Sequence, residues 1–448
     1  MINRIELPKH VNHIIHRLQE HGFDAYAVGG CVRDTLLGRV PQDWDITTSA
    51  TPERVKQLFS HTIDTGIEHG TVTVMLEHVG YEVTTYRIDG EYEDGRHPKE
   101  VTFTDNLKED LKRRDFTINA MAYNDERGLV DVFDGVGDLE HHVIRCVGDA
   151  RERFTEDALR MLRAVRFAAQ LDFSIEEETK EAVRLLAPTI AKVSAERIQM
   201  ELVKLLCSGK PALLETAYDL GLTAVFLPEF DRMMQTPQHN KHHCYSVGQH
   251  TLMTLSSVKA DKVLRLTMLL HDVAKPQCLS TDEAGQNHFY EHPQIGAEIA
   301  GKVLRRLKFD NATIRQTCRL ILFHDERPAL SEKSVRRLAS KIGEEYVWPL
   351  LEVKRADVVG QSEYKKEEKL AYIDEFAEVF KRLQEQNQCM KKADLAINGR
   401  DLMELGVPQG KEIGRILDAL FNMVLEHPQW NTREKLIELS HNLISPFI

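Results

Sequence analysis

Apolar and polar residues alternate in short blocks over the first third of the chain and recur at helical spacing over the rest. Residues 25–28 form an apolar run that ends at two glycines, and residues 31–38 then predict a helix. Residues 81–87 alternate as a strand does, and the polar, glycine-bearing residues 88–98 predict a loop. The pattern therefore predicts an α+β fold, in which an α/β head precedes a helical remainder.

Two adjacent glycines, an arginine and two aspartates surround the first predicted helix. Gly29 and Gly30 let backbone N–H groups approach a phosphate, and Arg33 adds donors beside the positive end of the helix dipole. Alternation along a strand would place Asp43 and Asp45 on one face, where both carboxylates can hold Mg²⁺. The order predicts a triphosphate turn followed by a magnesium site, although an Asp-x-Asp pair is also common on solvated loops.

An aspartate and an arginine one helical turn apart are candidates for reading a nucleobase. A helix predicted over 156–171 places Asp157 and Arg160 on one face, and Arg163 and Arg166 continue that row. A carboxylate that accepts from an amino group, beside a guanidinium that donates to a ring nitrogen, matches cytosine and adenine but opposes uracil and guanine. The alternative is a surface ion pair on an arginine-rich helix.

Together these motifs resemble those of the class II tRNA nucleotidyltransferases and bacterial poly(A) polymerases. The resemblance covers about residues 20 to 230, through segments 29–46, 110–122, 156–160 and 194–201. It implies a polymerase β-like nucleotidyltransferase head with catalytic Asp43 and Asp45. The nucleotide contacts it implies come from Gly29, Gly30, Arg33, Arg114, Asn119, Asp157, Arg160, Arg163 and Arg166.

The loop predicted over 88–98 corresponds to the flexible loop of that family. Its full length resembles enzymes that complete the whole CCA end, whereas a plain hairpin connection is the alternative. Glu82, on the strand before it, is a further carboxylate near the aspartate pair in sequence order. We expect Glu82 to face solvent and do not count it as a metal ligand.

A second constellation of histidines and aspartates lies in the C-terminal half. Its members follow the order of an HD phosphohydrolase domain, which the segment resembles, and comprise His250, His271, Asp272, His292, His324 and Asp357. Imidazole and carboxylate ligands suit a divalent transition metal such as Mn, Ni, Co or Fe, and six ligands suffice for one ion or two. Lys275 would face a phosphate. His243 competes with His250 for the first position, and the His-Thr-Leu continuation favours His250.

Composition and charge limit the remaining possibilities. No apolar run approaches the ~20 residues of a membrane span, the N-terminus lacks a signal-peptide pattern, and seven cysteines without a Cys-x-x-Cys pair predict reduced thiols and a cytoplasmic location. The net charge of −12 is unusual for a nucleic-acid-binding protein, but residues 141–210 carry a net +1. This balance favours recognition of a tRNA by shape and argues against a poly(A) polymerase.

These observations predict five parts and one principal reaction. The parts are a nucleotidyltransferase head (1–140), a helical neck (141–208), a helical body (209–238), an HD domain (239–365) and a helical tRNA-binding tail (366–448). The predicted function is addition of C, C and A to tRNA from CTP and ATP, with Mg²⁺ as cofactor. The alternatives are an enzyme that adds only A, or a poly(A) polymerase, with the HD half a silent scaffold. The sequence does not indicate an oligomeric state.

Overall fold

The chain folds into two compact units, Met1–Pro228 and Glu229–Ile448. A computed structural model describes residues 4–90, 101–238, 245–283, 285–386 and 388–444. Most of the loop predicted over 88–98, and His243, lie outside the described residues. The finer division into five parts stays a prediction. In the part of the chain that the structure describes, no helix is long and apolar enough to cross a membrane.

A mixed sheet forms the centre of the first unit. The strands of this unit are β1 Ala25–Val28, β2 Ile46–Thr48, β3 Thr62–Gly66, β4 Thr71–Leu76, β5 Val79–Thr85, β6 Arg87–Asp89, β7 Val101–Phe103, β8 Met121–Asn124, β9 Gly128–Asp131, β10 Val143–Ile144 and β11 Ser174–Ile175. Seven of them pair in the order β3-β4-β5-β2-β1-β8-β9, in which β2 and β5 are parallel and the other neighbours antiparallel. All four residues of β1 are buried, because the strand lies inside the sheet, and this explains its unbroken apolar run.

One helix precedes the sheet, others connect its strands, and the residues after the sheet are mainly helical. The first helix buries Val11, Ile14, Ile15 and Leu18, whose spacing gives it one apolar face. The helices up to the unit boundary are α1 Lys9–Glu20, α2 Gly30–Leu36, α3 Pro52–Leu58, α4 Leu107–Lys112, α5 Gly135–Glu140, α6 Ala150–Glu156, α7 Leu159–Leu171, α8 Glu177–Leu186, α9 Ala195–Leu206, α10 Leu214–Asp219 and α11 Thr223–Phe226, and α12 Pro228–Gln235 begins at the boundary and lies in the second unit from Glu229 onward.

The described residues of the second unit form helices and one small hairpin. Its strands β12 Leu279–Thr281 and β13 Asn287–Phe289 pair antiparallel. Its helices are α13 Val247–Leu255, α14 Lys262–Leu270, α15 Lys275–Cys278, α16 His292–Arg306, α17 Asn311–Phe323, α18 Glu332–Ile342, α19 Val347–Val359, α20 Lys366–Glu385, α21 Gly399–Glu404, α22 Lys411–Glu426 and α23 Arg433–Ile444. The last three helices share a core that includes Leu402, Leu420 and Leu436. The predicted α+β class, with a mixed head and a helical remainder, is confirmed.

Two local predictions were wrong. The helix predicted over 156–171 is two helices, α6 and α7, because Asp157 has an extended backbone (φ −145°, ψ 102°) that ends α6. Asp43 and Asp45 do not lie within a strand, since β2 begins at Ile46 and the aspartates occupy the segment that leads into it. In both places the regular element that the local pattern predicts stops at an aspartate, Asp157 in the helix and Asp45 before the strand.

Candidate functional site

The turn between β1 and α2 requires glycine for two reasons. Gly29 has φ +81°, a left-handed conformation that residues with a Cβ rarely adopt. A Cβ at this position would also lie 3.0 Å from Nη1 of Arg114. The backbone N–H of Gly29 donates to the carbonyl oxygen of Met121 on β8, at 3.1 Å. The turn is thus fixed to the sheet, and the absence of a side chain lets a guanidinium approach its backbone.

Arg114 is held beside this turn by a buried carboxylate. Asp110 on α4 accepts hydrogen bonds from Arg113 (2.7 and 3.0 Å), Thr47 Oγ1 (3.1 Å) and Arg114 Nη2 (3.4 Å). Burial opposes ionisation of Asp110, but the charges of Arg113 and Arg114 lower its pKa below the ordinary value. Nε of Arg114 is buried and has no hydrogen-bond partner among the described residues. Arg114 therefore lies beside the turn with its Nε–H available to donate to a ligand.

Three carboxylates lie together at the edge where β1 ends. The N–H of Val28 donates to the carbonyl oxygen of Asp45 at 3.0 Å, and the parallel register Ile46 to Val83 places Asp45 next to Glu82. The pKa of Asp45 is raised, first by shielding from water and then by the charges of Glu82 and Asp43, while Arg114 lowers it.

Asp43, Asp45 and Glu82 all retain surface that solvent reaches, although the surrounding residues partly shield the carboxyl group of Asp45. A cluster of oxygen ligands that raises the pKa of one of its own members is suited to a hard divalent cation such as Mg²⁺. Sequence analysis left Glu82 out of the site. The signal that includes it is the pairing of β5 with β2, which local alternation does not reveal.

Arg33 is oriented by a relay of side chains behind the turn. Its Nη1 donates to Asn119 Oδ1 at 2.6 Å, and Asn119 Nδ2 donates to Asp115 Oδ1 at 3.2 Å. The guanidinium of Arg33 also pairs with Asp34 and lies 5.1 Å from the ring centre of Phe167. The structure therefore brings the predicted residues Arg33 and Asn119 into direct contact.

Asp115 joins the sheet to the long helix α7. Its Oδ2 accepts from Nε and Nη2 of Arg163, at 2.8 and 2.6 Å. Burial opposes ionisation, but the neighbouring Arg163 guanidinium lowers the pKa of Asp115 to about 2. Arg163 Nη1 also lies 3.7 Å from Glu201 on α9. One arginine thus connects the sheet and two helices.

Asp157 and Arg160 are close in the chain but do not pair with each other through their side chains. Asp157 accepts two hydrogen bonds from Arg197 of α9, at 2.6 and 3.2 Å, and one from the N–H of Leu159. Arg160 donates to Glu156 Oε2 at 2.5 Å and to the carbonyl oxygens of Arg113 and Arg153. Separate partners thus fix the two predicted reading residues, and the helix break at Asp157 turns its carboxylate away from the row predicted for it.

Arg166 contacts protein groups rather than solvent. Its Nε donates to Glu201 at 2.5 Å, its Nη1 donates to Gln170 at 2.7 Å, and its Cζ lies 3.6 Å from the ring centre of Phe167. Only 6% of the residue is exposed. Arg166 is therefore placed to hold α7 against α9, behind Arg163.

In the second unit, the four predicted histidines converge with their Nε2 atoms facing one another. The Nδ1 of each ring lies against a backbone carbonyl oxygen: His250 at 2.9 Å from Gly360, His271 at 2.8 Å from Met268, His292 at 2.8 Å from Phe289 and His324 at 2.6 Å from Ile321. A carbonyl oxygen can only accept, so in the neutral ring Nδ1 carries the proton and Nε2 keeps its lone pair. This is the arrangement of a histidine prepared to bind a metal.

Asp272 lies between two pairs of these histidines. Its Oδ2 is 3.3 Å from His271 Nε2 and 3.7 Å from His250 Nε2, and its Oδ1 is 3.6 Å from His292 Nε2 and 3.9 Å from His324 Nε2. Each half forms a group that is able to hold a metal ion. Oδ2 is buried and accepts no hydrogen bond of normal geometry, although Lys275 Nζ lies 2.7 Å away. Asp272 would hold a divalent ion together with His250 and His271, or together with His292 and His324.

Asp357 completes the predicted ligand set. Its Oδ1 lies 3.0 Å from His250 Nε2 and 3.7 Å from His271 Nε2, while its Oδ2 accepts from Gln361. Burial opposes ionisation of Asp357, but the two imidazoles hold its pKa well below the ordinary value. All six predicted residues therefore meet at one place.

The charges of the other ligands are set by burial and by their neighbours. Burial would raise the pKa of Asp272, but His271 and Lys275 hold it well below the ordinary value. Burial, together with His271 and His292, lowers the pKa of His324 to about 4. Burial opposes protonation of His271, whereas Asp272 and Asp357 raise its pKa to about 10. The cluster thus presents ionised carboxylates and a neutral His324 to a cation.

Three family models match separate parts of the chain. They are described as "Poly A polymerase head domain" (residues 25–145), "Probable RNA and SrmB- binding site of polymerase A" (172–234) and tRNA nucleotidyltransferase domain 2 (289–439). The first covers the sheet, the glycine turn and Arg114. The second covers α8 and α9, and the third includes His292, His324 and Asp357.

Curated relatives are named CCA-adding enzymes. The one from Leuconostoc mesenteroides is 55% identical over 197 residues, which are 44% of this chain and 49% of that protein. The chain thus spans about half the length of the first relatives it matches. The relative from Levilactobacillus brevis is 38% identical over 426 residues, which are 95% of each chain.

Solved structures agree with these relatives. The Bacillus stearothermophilus CCA-adding enzyme in complex with CTP has a TM-score of 0.67 at 29% identity, covering 99% of this chain and 100% of that one. The Thermotoga maritima CCA-adding enzyme complexed with tRNA shares the fold, with a TM-score of 0.55 at 22% identity over 99% of this chain and 97% of that one. By the full-length match, this chain belongs to the family of CCA-adding enzymes.

Proposed function

We propose that this chain adds C, C and A to the 3′ end of tRNA without a template strand, using CTP and ATP and releasing pyrophosphate. The observation that carries the proposal is the meeting of Asp43, Asp45 and Glu82 with Arg114 and the Gly29 turn. Membership of the family supports it, and a relative of 29% identity has been solved with CTP. Nucleotidyltransferases of this fold use a divalent metal, and Mg²⁺ suits the carboxylates.

In the proposed reaction the 3′-hydroxyl of the tRNA loses its proton to solvent as its oxygen bonds to the α-phosphorus of CTP or ATP. The bond from that phosphorus to the bridging oxygen of the β-phosphate breaks, and pyrophosphate leaves. Asp43 and Asp45, with Glu82 beside them, would hold Mg²⁺, which neutralises charge on the phosphates. The Gly29 turn and Arg114 would hold the triphosphate at this edge of the sheet. Arg33, whose orientation is fixed by Asn119, would add donors to the same phosphates.

Base selection is assigned to Asp157 and Arg160. Arg197 holds the Asp157 carboxylate from one side, which leaves acceptor positions for the amino group of cytosine or adenine. Arg160, at the start of α7, would donate to the ring nitrogen of the same base. Arg163 and Arg166 would keep α7 in place behind these two residues.

The variant Asp157→Ala tests base selection. Removal of the carboxylate should lower discrimination of CTP and ATP against UTP and GTP by about tenfold or more, because the acceptor that attracts the amino group of cytosine or adenine and repels the carbonyl group of uracil or guanine is lost. Incorporation from mixtures of the four nucleotides is measured on tRNA transcripts. The control Glu152→Ala removes an exposed carboxylate of α6 and should leave discrimination unchanged. Unaltered discrimination in Asp157→Ala would contradict the assignment.

A second activity is favoured by the position of Asp272 between two pairs of histidines. The cluster His250, His271, Asp272, His292, His324 and Asp357 would hold transition-metal ions, of which Mn, Ni, Co and Fe are the candidates. Such ions activate water for attack on phosphorus. The proposed reaction is removal of terminal or 2′,3′-cyclic phosphates, with Lys275 beside the cluster to receive the phosphate.

Metal content and hydrolysis test this second activity together. Wild-type protein should retain up to two transition-metal ions per chain and cleave phosphoesters with added Mn²⁺, Ni²⁺ or Co²⁺, because both halves of the cluster share Asp272. Asp272→Asn should lose most of both properties, whereas His427→Gln, outside the cluster, should lose neither. Wild-type protein that retains no such metal and cleaves no phosphoester would contradict the activity. Unchanged tRNA affinity after loss of the ligands would then favour a silent scaffold.

A further inference from the structure

The histidine cluster opens into a cavity of about 340 Å³ whose walls differ in chemistry. One wall is formed by residues 286–290, on and after β13, and carries two aromatic rings and a histidine. Cationic side chains from other elements, Lys275, Arg327 and Lys369, also line the cavity. Its volume is at the small end of the range for small-ligand sites, so one nucleotide fits better than a helical stem.

Tyr290 presents a large ring to solvent in this wall. The residue is 71% exposed, although its side chain is mostly apolar. Its ring is stacked on that of His288, with ring centres 5.5 Å apart and planes within 8° of parallel. Exposed aromatic rings of this kind serve as platforms on which unpaired nucleobases stack. A nucleobase stacked on Tyr290 would cover the apolar ring that is otherwise exposed to solvent.

Residues of this wall contact the proposed metal ligands directly or through Lys275. Phe289, which precedes Tyr290, accepts a hydrogen bond through its carbonyl oxygen from His292 Nδ1 at 2.8 Å. Its ring lies 5.3 Å from Nζ of Lys275, which in turn lies 2.7 Å from Asp272. Tyr290 is therefore two residues before a ligand and belongs to the same fixed segment. A phosphate at the cluster places the rest of its own nucleotide within the cavity that Tyr290 lines.

We infer that Tyr290, supported by His288, is a stacking platform for the base of the nucleotide substrate and thereby a specificity-determining residue of this site. The inference rests on the phosphohydrolase function proposed above and assigns a base-binding residue to it. The cations bind the phosphate group, and the base stacks on Tyr290. A phosphorylated 3′-terminal nucleotide of an RNA has both groups, as does a free nucleoside 2′- or 3′-phosphate.

Comparison of two esters in the full-length, metal-loaded protein tests this inference. Adenosine 2′-phosphate carries a base, whereas β-glycerol phosphate has a similar secondary ester without one. Tyr290→Ala should raise KM for adenosine 2′-phosphate about tenfold with little change in kcat, because one stacking contact is lost. It should leave both constants for β-glycerol phosphate unchanged. Tyr290→Trp should keep the wild-type KM. Tyr364→Ala, at another exposed tyrosine that does not line the cavity, should leave KM and kcat unchanged for both esters.

Fluorescence supplies a readout that does not depend on turnover. The 2′-phosphate of 2-aminopurine riboside should be quenched on binding to wild-type protein and to Tyr290→Trp without added metal. The Tyr290→Ala variant should remove this quenching. Because only Tyr290 differs, the change reports on this cavity rather than on the nucleotide site of the first unit.

The outcomes separate the platform from the phosphohydrolase activity. Hydrolysis of both esters with equal KM in wild type and Tyr290→Ala would overturn the platform and leave the activity intact. If wild-type protein cleaved neither ester with any candidate metal, the phosphohydrolase function would fail. The platform would then stand or fall on the fluorescence alone: quenching that depends on Tyr290 would support it, and quenching that does not would overturn it.

Discussion

At the scale of single residues, polar and ionised side chains of the first unit form a continuous hydrogen-bonded series from the segment before β8 into the helices. Asn119 contacts Asp115, Asp115 pairs with Arg163, and Arg163 and Arg166 both face Glu201. Buried charges are stable only when they are paired, so each member depends on the next. The chain fixes α7 relative to the sheet and so fixes the helix that carries Arg160.

The Asp115 to Arg163 pair predicts a dependence of stability on pH. The pKa of Asp115 in the folded state is about 2, below its ordinary value of 3.8, so folding stabilises the ionised carboxylate relative to the protonated acid. The pair therefore contributes fully above about pH 4 and loses its contribution as pH falls toward 2, by about 2 kcal/mol in total. Asp115→Asn should lower the free energy of unfolding at pH 7 by at least this amount, and the difference should shrink below pH 4.

Urea unfolding followed by Trp44 fluorescence measures this effect. Replacing Trp348 and Trp430 by Phe leaves Trp44 as the single tryptophan of the chain. Asp219→Asn, at an exposed aspartate, is the control and should change the free energy of unfolding little at any pH. A difference for Asp115→Asn that is constant between pH 7 and pH 3 would show that its ionisation does not stabilise the fold.

At the scale of elements, the strand, turn and helix at residues 25–36 form the part of the site on which the phosphates would lie. The turn works because Gly29 combines a left-handed backbone with an open approach for Arg114. Gly38, after the same helix, also has a left-handed backbone (φ +68°), but a Cβ at that position would meet no heavy atom within 4 Å. An alanine at Gly38 would therefore strain only the backbone, whereas an alanine at Gly29 would strain the backbone and also contact Arg114.

Gly29→Ala should impair nucleotide binding more than Gly38→Ala. Both changes place a Cβ at positive φ, at a cost of about 1 kcal/mol or more. The cost is greater at Gly29, whose ψ of −127° lies outside the left-handed helical region. Only Gly29→Ala also displaces the guanidinium of Arg114, so we expect its KM for CTP and ATP to rise by about tenfold. Steady-state kinetics on a tRNA transcript measures the difference. Equal effects of the two substitutions would mean that Arg114 does not use the space above Gly29.

Local sequence patterns predicted the elements of the sites better than the ways in which they meet. The predicted strand at 25–28 matches β1, and the helix predicted after it overlaps α2, because apolar runs and glycines act locally. The carboxylate of Asp157, where the helix breaks, pairs with Arg197, 40 residues later, and the inclusion of Glu82 depends on the pairing of β5 with β2. Such contacts between distant segments leave no periodic signal in a single sequence.

The second cluster was more predictable, for a chemical reason. Four histidines and two aspartates in the order of a known domain specify a ligand set, and the structure brings all six together. Sequence order does not show which atoms face which. The bridging position of Asp272 and the backbone acceptors that orient the rings are visible only in three dimensions.

At the scale of the whole molecule, the two proposed sites lie in different compact units. The carboxylates at residues 43, 45 and 82 belong to Met1–Pro228, and the histidine cluster belongs to Glu229–Ile448. Each site is built from side chains of its own unit among the described residues. The two chemistries should therefore be separable by substitution.

Variants in one unit should spare the chemistry of the other. Asp45→Asn should lower addition of C and A by about a hundredfold or more, because a charged ligand of the proposed Mg²⁺ is lost, and should leave phosphoester hydrolysis unchanged. Asp272→Asn should do the reverse. Both activities are measured on the same preparations. Loss of both from either substitution, in a protein that remains folded by circular dichroism, would contradict two independent sites.

The most direct test of the account is incorporation of single nucleotides into defined tRNA ends. Purified protein is incubated with Mg²⁺, each labelled nucleotide in turn, and transcripts that end at the discriminator base, at C and at CC. The account predicts ordered addition of C, C and A that stops at CCA. Labelling by ATP of the CC-ended transcript alone, or addition of A without limit, would contradict it and indicate an A-adding enzyme or a poly(A) polymerase.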